Sequence, residues 1–150
     1  PLIEYCLPKF DHIIISTGLH SLDQIAELIQ RVDHRKDKVT LMHCVSLYPT
    51  LLEQVNLYHM AALMKAFPSV GFSDHTYGTD AAKVAMCLGA ACVEKHFTLD
   101  RKMPGKDQSI SATTYHFKEL LDWRTTVTDV MYDPDANTYL KNRKYIRRWV

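Results

Sequence analysis

The chain has 150 residues, 47% of them hydrophobic and 23% charged, with a formal net charge of +1 at pH 7. That length and composition suit one globular domain and exclude a disordered chain. No apolar run approaches the roughly 18–20 residues that span a bilayer, and the balanced charge implies neither a nucleic-acid nor a membrane partner.

Pro1-Leu2-Ile3-Glu4 opens without a basic stretch leading into an apolar one, so no signal peptide is expected. The first ten residues, with Leu2, Ile3, Cys6 and Leu7 apolar, read as the end of an earlier helix, as in a piece of a longer protein. His12-Ile13-Ile14-Ile15 is a β-branched run of the kind expected in a strand buried on both faces. It breaks at Ser16-Thr17-Gly18. The helix that follows has Ser21 and Gln24 at capping-box spacing and Leu22, Ile25, Leu28, Ile29 and Val32 on one face.

The second strand is Val39-Thr40-Leu41-Met42-His43-Cys44, followed by the loop Ser46-Leu47-Tyr48-Pro49. A helix over about 55–67 is stopped by Pro68. The third strand, 70–73, ends in Asp74-His75-Thr76. Its helix covers about 80–88, with Gly89 as the C′ residue. The fourth strand, 92–97, leads through a loop with Pro104 and Gly105 to a last helix over about 113–130. The four cysteines, Cys6, Cys44, Cys87 and Cys92, lack CxxC spacing. Three sit in apolar segments and read as reduced, buried thiols of a cytoplasmic protein.

Four strand–helix units in succession imply an α/β fold with a parallel sheet and right-handed crossovers. Two architectures satisfy this: an open doubly wound sheet, or about half of a (β/α)8 barrel, since a whole barrel takes about 250 residues. In either, active sites sit at the C-terminal edge of the strands. Ser16, His43, Ser73, His75, Glu94 and His96 all fall there. Residues two apart on a strand share a face, so Ser73 pairs with His75 and Glu94 with His96, while Lys95 points the other way. Two imidazoles on neighbouring strand ends can share a divalent metal and leave positions for water and substrate. On spacing alone the plainer reading, a satisfied residue at a strand end, is favoured for each, and spacing does not choose among His43, His75 and His96. Ser16-Thr17-Gly18 suits a phosphate or carboxylate, or is a tight turn. Lys141, Arg143, Lys144, Arg147 and Arg148, interleaved with Tyr145 and Trp149, form a basic segment. A solvated face, or packing on a further domain, is favoured there over a nucleic-acid arm.

Taken together, Ile-Ile-Ser-Thr-Gly at 14–18, His-Cys-Val-Ser-Leu-Tyr-Pro-Thr at 43–50, Gly-Phe-Ser-Asp-His-Thr at 71–76 and Glu-Lys-His-Phe-Thr-Leu-Asp at 94–100 closely resemble the sialic acid synthase family. Pro-Gly-Lys-Asp at 104–107 extends the likeness, which runs in order along nearly the whole chain. The family includes the N-acetylneuraminate, legionaminic and pseudaminic acid synthases. The resemblance implies a (β/α)8 TIM barrel of which this chain supplies strands five to eight, without the antifreeze-like domain that follows in the family. It implies a transferase that condenses phosphoenolpyruvate with an N-acylated mannosamine-type sugar, giving a nine-carbon 2-keto acid and phosphate. It further implies a divalent metal, Mn2+ or Mg2+, on His75 and His96. Ser16, Ser46 and Ser73 match phosphoenolpyruvate contacts, Ser46 standing where the family often has Asn. Tyr48, Glu94 and Asp107 match sugar contacts, with Lys106 in place of a common Pro. A homodimer is implied for the full-length protein, and little turnover for this chain alone, because half of the pocket lies elsewhere. A non-catalytic half-barrel that binds a sugar or a protein, and a metal-dependent pyruvate aldolase, are the competing readings.

Overall fold

A computed structural model describes residues 2–131, so the basic segment at 141–149 lies outside the described residues. Four parallel strands, β1 (Ile13–Ser16), β2 (Val39–Cys44), β3 (Val70–Asp74) and β4 (Val93–Lys95), form one sheet in the order β1-β2-β3-β4. The helices are α1 (Leu2–Cys6), α2 (Leu22–Val32), α3 (Leu57–Ala66), α4 (Asp80–Cys87) and α5 (Thr114–Met131). Each strand lies beside the next in the sequence. A doubly wound sheet reverses its order at a switch point, whereas sequential order is that of a barrel wall.

The local signals act as their chemistry requires. Ser21 and Gln24 close a reciprocal capping box at the start of α2. Phe67 turns extended ahead of Pro68 and ends α3. Gly89 takes a positive φ of 93°, with Gly89 N–H bonded to Met86 O and Ala90 N–H to Ala85 O. These two bonds form a Schellman cap on α4.

Val39, Leu41, Val70 and Phe72 project from β2 and β3 into a core shared with Ile25 and Val32 of α2, Met60 and Leu63 of α3, and Ala81 and Ala85 of α4. The helices thus cover one face of the sheet. The other face is partly open, which corrects the expectation that β1 is buried on both sides. Ile13 and Ile15 pack on the core, while Ile14 is 57% exposed. Leu22 is also exposed, because it sits in the first turn of α2, short of the core. The thiols are free, but none is fully buried and Cys87 is exposed.

On the open face the strands approach closely at Gly71. A Cβ there would lie 2.8 Å from the backbone oxygen of Cys92 and would strike Met42 Sδ. Gly71→Ala is therefore expected to lower stability by about 1–3 kcal/mol through overpacking, read as the urea unfolding midpoint. An unchanged midpoint would show that the strands have room to part.

Candidate active site

The pleat sorts the strand ends by face. Register pairs Cys44 with Ser73 and Ser73 with Glu94 on the open face, and His43 with Phe72 and Asp74 with Lys95 on the helix side. His75 follows β3 and His96 follows β4, so both continue the open-face set. Their rings come together, with centroids 5.4 Å apart and planes at 76°.

His75 is held from both its backbone and its ring, and His96 from its backbone. His75 donates Nδ1–H to Val45 O at 2.8 Å, and its carbonyl accepts Thr50 N–H at 3.0 Å. A carbonyl only accepts, so Nδ1 carries the proton and Nε2 keeps its lone pair. His96 O accepts Ala112 N–H at 2.7 Å, and its Nδ1 lies 3.8 Å from Asp107 Oδ2. Tyr48, ahead of a cis bond to Pro49, sets its ring 4.2 Å from that of His75 and 5.7 Å from that of His96. Ser73 donates its hydroxyl to Glu94 Oε1 at 2.7 Å.

His43 separates from this group. It is buried on the helix side, stacks on Phe72 with centroids 5.9 Å apart, and donates Nε2–H to Val55 O at 2.8 Å. The satisfied strand-end reading therefore holds for His43. At the end of β1, Ser16 is exposed on the open face. A Cβ on Gly18 would meet Ser46 Oγ at 2.6 Å and Cys44 Sγ at 2.7 Å, so the two loops touch. Thr17 N–H is bonded to Met42 O and Gly18 N–H to Cys44 Sγ. Both donors bond to β2, so neither N–H is free for a ligand.

A family model described as the NeuB family matches residues 1–134. The chain is 40% identical over 112 residues to N,N'-diacetyllegionaminic acid synthase of Campylobacter jejuni, covering 72% of this chain and 34% of that protein. It is 36% identical over 111 residues to N-acetylneuraminate-9-phosphate synthase of Drosophila melanogaster, covering 72% of this chain and 30% of that protein. The crystal structure of an N-acetylneuraminic acid synthetase from Leptospira borgpetersenii superposes with a TM-score of 0.80 at 28% identity, over 98% of this chain and 54% of that one. The chain belongs to the NeuB family. It spans about a third of the length of the curated relatives it matches.

Within this family the four parallel strands form a half-barrel. Its open face is the barrel's inside, and the histidine pair stands at the C-terminal rim. Two imidazoles on one cation, with metal–nitrogen bonds near those of zinc, place their ring centres roughly 4.5–5.5 Å apart. The spacing of His75 and His96 fits, and so does the free lone pair on His75. Among the described residues no three His, Cys, Asp or Glu side chains are grouped to hold a metal. A cation held there would have these two imidazoles as its protein donors and oxygen ligands for the rest of its coordination sphere.

Burial raises the Cys44 and Cys92 thiols above their ordinary value, and the Glu94 carboxylate adds to this at both. They are thus protonated near neutral pH and poor nucleophiles. Two braces escaped the sequence reading. Asp74 and Lys95 form a buried ion pair behind the histidines. In the loop bearing Asp107, Arg101 donates to Ser111 O at 2.9 Å, while Ser111 Oγ donates to Asp107 O at 2.7 Å. The first had a signal, two charges at helix-facing strand positions; the second, made of contacts within a loop, had none.

Burial pushes His43 below 6.5, aided by His59 and partly offset by the bond to Val55. The unfolded chain then binds the proton more readily. His43 contributes stability that is complete above about pH 6.5 and is lost as pH falls through its lower folded value. His43→Gln is expected to make unfolding free energy fall less steeply between about pH 7 and pH 5. Equal slopes in the two proteins would contradict this.

Proposed function

We propose that this chain is the C-terminal half, strands five to eight, of a barrel that condenses phosphoenolpyruvate with an N-acylated mannosamine-type sugar. The products are a nine-carbon 2-keto acid and phosphate. The observation that carries the reading is the His75–His96 pair, ring centroids 5.4 Å apart at the rim, with Tyr48 and Asp107 beside it and the Ser73–Glu94 bond on the same face of the sheet. His75 and His96 would hold Mn2+ or Mg2+. When bound, the cation supplies Lewis-acid polarisation of the sugar aldehyde.

The residues of this chain act by holding the two reactants. The double-bond electrons of phosphoenolpyruvate join C3 to the aldehyde carbon, whose oxygen takes up a proton; water adds at C2 and gives up a proton, and the tetrahedral carbon breaks its bond to the phosphate oxygen, leaving the ketone and phosphate. Ser16, at the end of β1, and Ser46, on the loop that touches Gly18, face the phosphoenolpyruvate end. Ser73 joins them by exchanging its bond to Glu94 for one to the substrate, which frees Glu94 for a sugar hydroxyl. Tyr48 closes one side of the histidine pair, and Asp107 reaches sugar hydroxyls from the far loop. Orienting the aldehyde against C3 turns an encounter into a positioned reaction. The remaining pocket belongs to the other half of the barrel, so this chain alone turns over little. The full-length protein works in the cytoplasm as a homodimer, and neither nucleic acid nor membrane is a partner. No described helix is long and apolar enough to cross a membrane.

Mn2+ is expected to bind the chain, and His75→Ala or His96→Ala to weaken it about tenfold or more, read by electron paramagnetic resonance of the free ion. Equal affinity in all three removes the metal assignment. In the protein that carries the whole barrel, phosphate release from phosphoenolpyruvate is expected to require the amino sugar. There Glu94→Gln and Asp107→Asn each raise the KM for that sugar by about tenfold, the worth of a hydrogen bond to a charged group. An unchanged sugar KM in either variant would take that residue out of the sugar site.

A further inference from the structure

Behind the histidine pair, on the helix side of the sheet, Asp74 and Lys95 face each other as direct register partners. Their side chains are 0% and 1% exposed, with Lys95 Nζ 3.0 Å from Asp74 Oδ2. The same two groups grip the residue after His75. Asp74 Oδ1 accepts Thr76 N–H at 2.8 Å, and Lys95 Nζ donates to Thr76 O at 2.6 Å. Burying two charges is expensive, and an apolar pair of like volume often serves stability as well or better. Fixing one arrangement is the better-attested use of such a pair.

What it fixes here follows from the covalent neighbours. Asp74 precedes His75, and Lys95 precedes His96. A slip or rotation of either strand end that parted the imidazoles would have to pull Nζ from the carboxylate in a site closed to water. Because Thr76 is held at both N–H and C=O, the turn that aims the His75 ring at Val45 O is held too. We propose that Asp74 and Lys95 are positioning residues that set the spacing of the His75–His96 pair and the ring tautomer of His75. The consequence for metal affinity rests on the proposed function; the effect on the His75 ring does not.

The test uses the double variant Asp74→Leu/Lys95→Met, which removes both charges and leaves neither orphaned. Circular dichroism establishes that it folds. Lys83→Met/Glu119→Gln, which breaks the ion pair joining α4 to α5, controls for loss of an inter-element bridge. Nitrogen-15 NMR reads the His75 tautomer, and Mn2+ titration reads the site. The Asp74/Lys95 variant is expected to lose the single Nδ1–H form of His75 and to bind Mn2+ about tenfold more weakly. The control keeps both. An unaltered His75 tautomer in the folded variant overturns the proposal, as does an equal change in the control. If the wild-type chain binds no Mn2+, the metal reading fails and the tautomer alone decides. Should the double variant not fold, Asp74→Asn is judged by the same two readouts, and wild-type values there overturn the proposal.

Discussion

The two-residue pleat shared by β3 and β4 is the constraint on which the site depends. Parallel strands in fixed register must send Ser73 and Glu94 to one face and Asp74 and Lys95 to the other. Reactive groups and their support therefore alternate along the same few residues. A one-residue slip would exchange the two sets, burying Glu94 against the helices and turning the ion pair into the open face. The cost of desolvating an unpaired charge makes that slip prohibitive.

Loops complete what the strands begin. The segment after β2 delivers Val45 O to the His75 ring and Thr50 N–H to its backbone, and carries Tyr48 against the ring. The segment after β4 ties His96 O to Ala112 and brings Asp107 to within 3.8 Å of the His96 ring. Each histidine is thus pinned by a strand on one side and a loop on the other, the preorganisation that a catalytic or metal site requires. The helix layer contributes indirectly. Small buried side chains at Ala81, Ala82 and Ala85 let α4 lie close on β3.

Much of this was legible in the sequence because it is written in local chemistry. The β-branched run at 13–15, the Ser21–Gln24 capping box and Gly89 each act through a few neighbouring residues, and the structure shows each. The pairing of Ser73 with His75 and of Glu94 with His96 follows from strand period alone. The face of β2 was not legible. Its run Val39 to Cys44 is apolar on both sides and lacks the alternation that would have turned His43 toward the helices. The openness around Ile14 depends on what lies across the sheet, which no local pattern records. The fourth strand is shorter than its apolar run predicts, because His96 and Phe97 leave the sheet to meet Ala112, a contact made through a loop.

The central claim is that His75 and His96 bind one cation together. Electron spin echo modulation of Mn2+ bound to the chain, with histidine labelled by nitrogen-15, tests it directly. The account predicts nitrogen couplings from two coordinated imidazoles, reduced to one in His75→Ala and in His96→Ala. A spectrum carrying only water-proton couplings, the same in all three proteins, would contradict it.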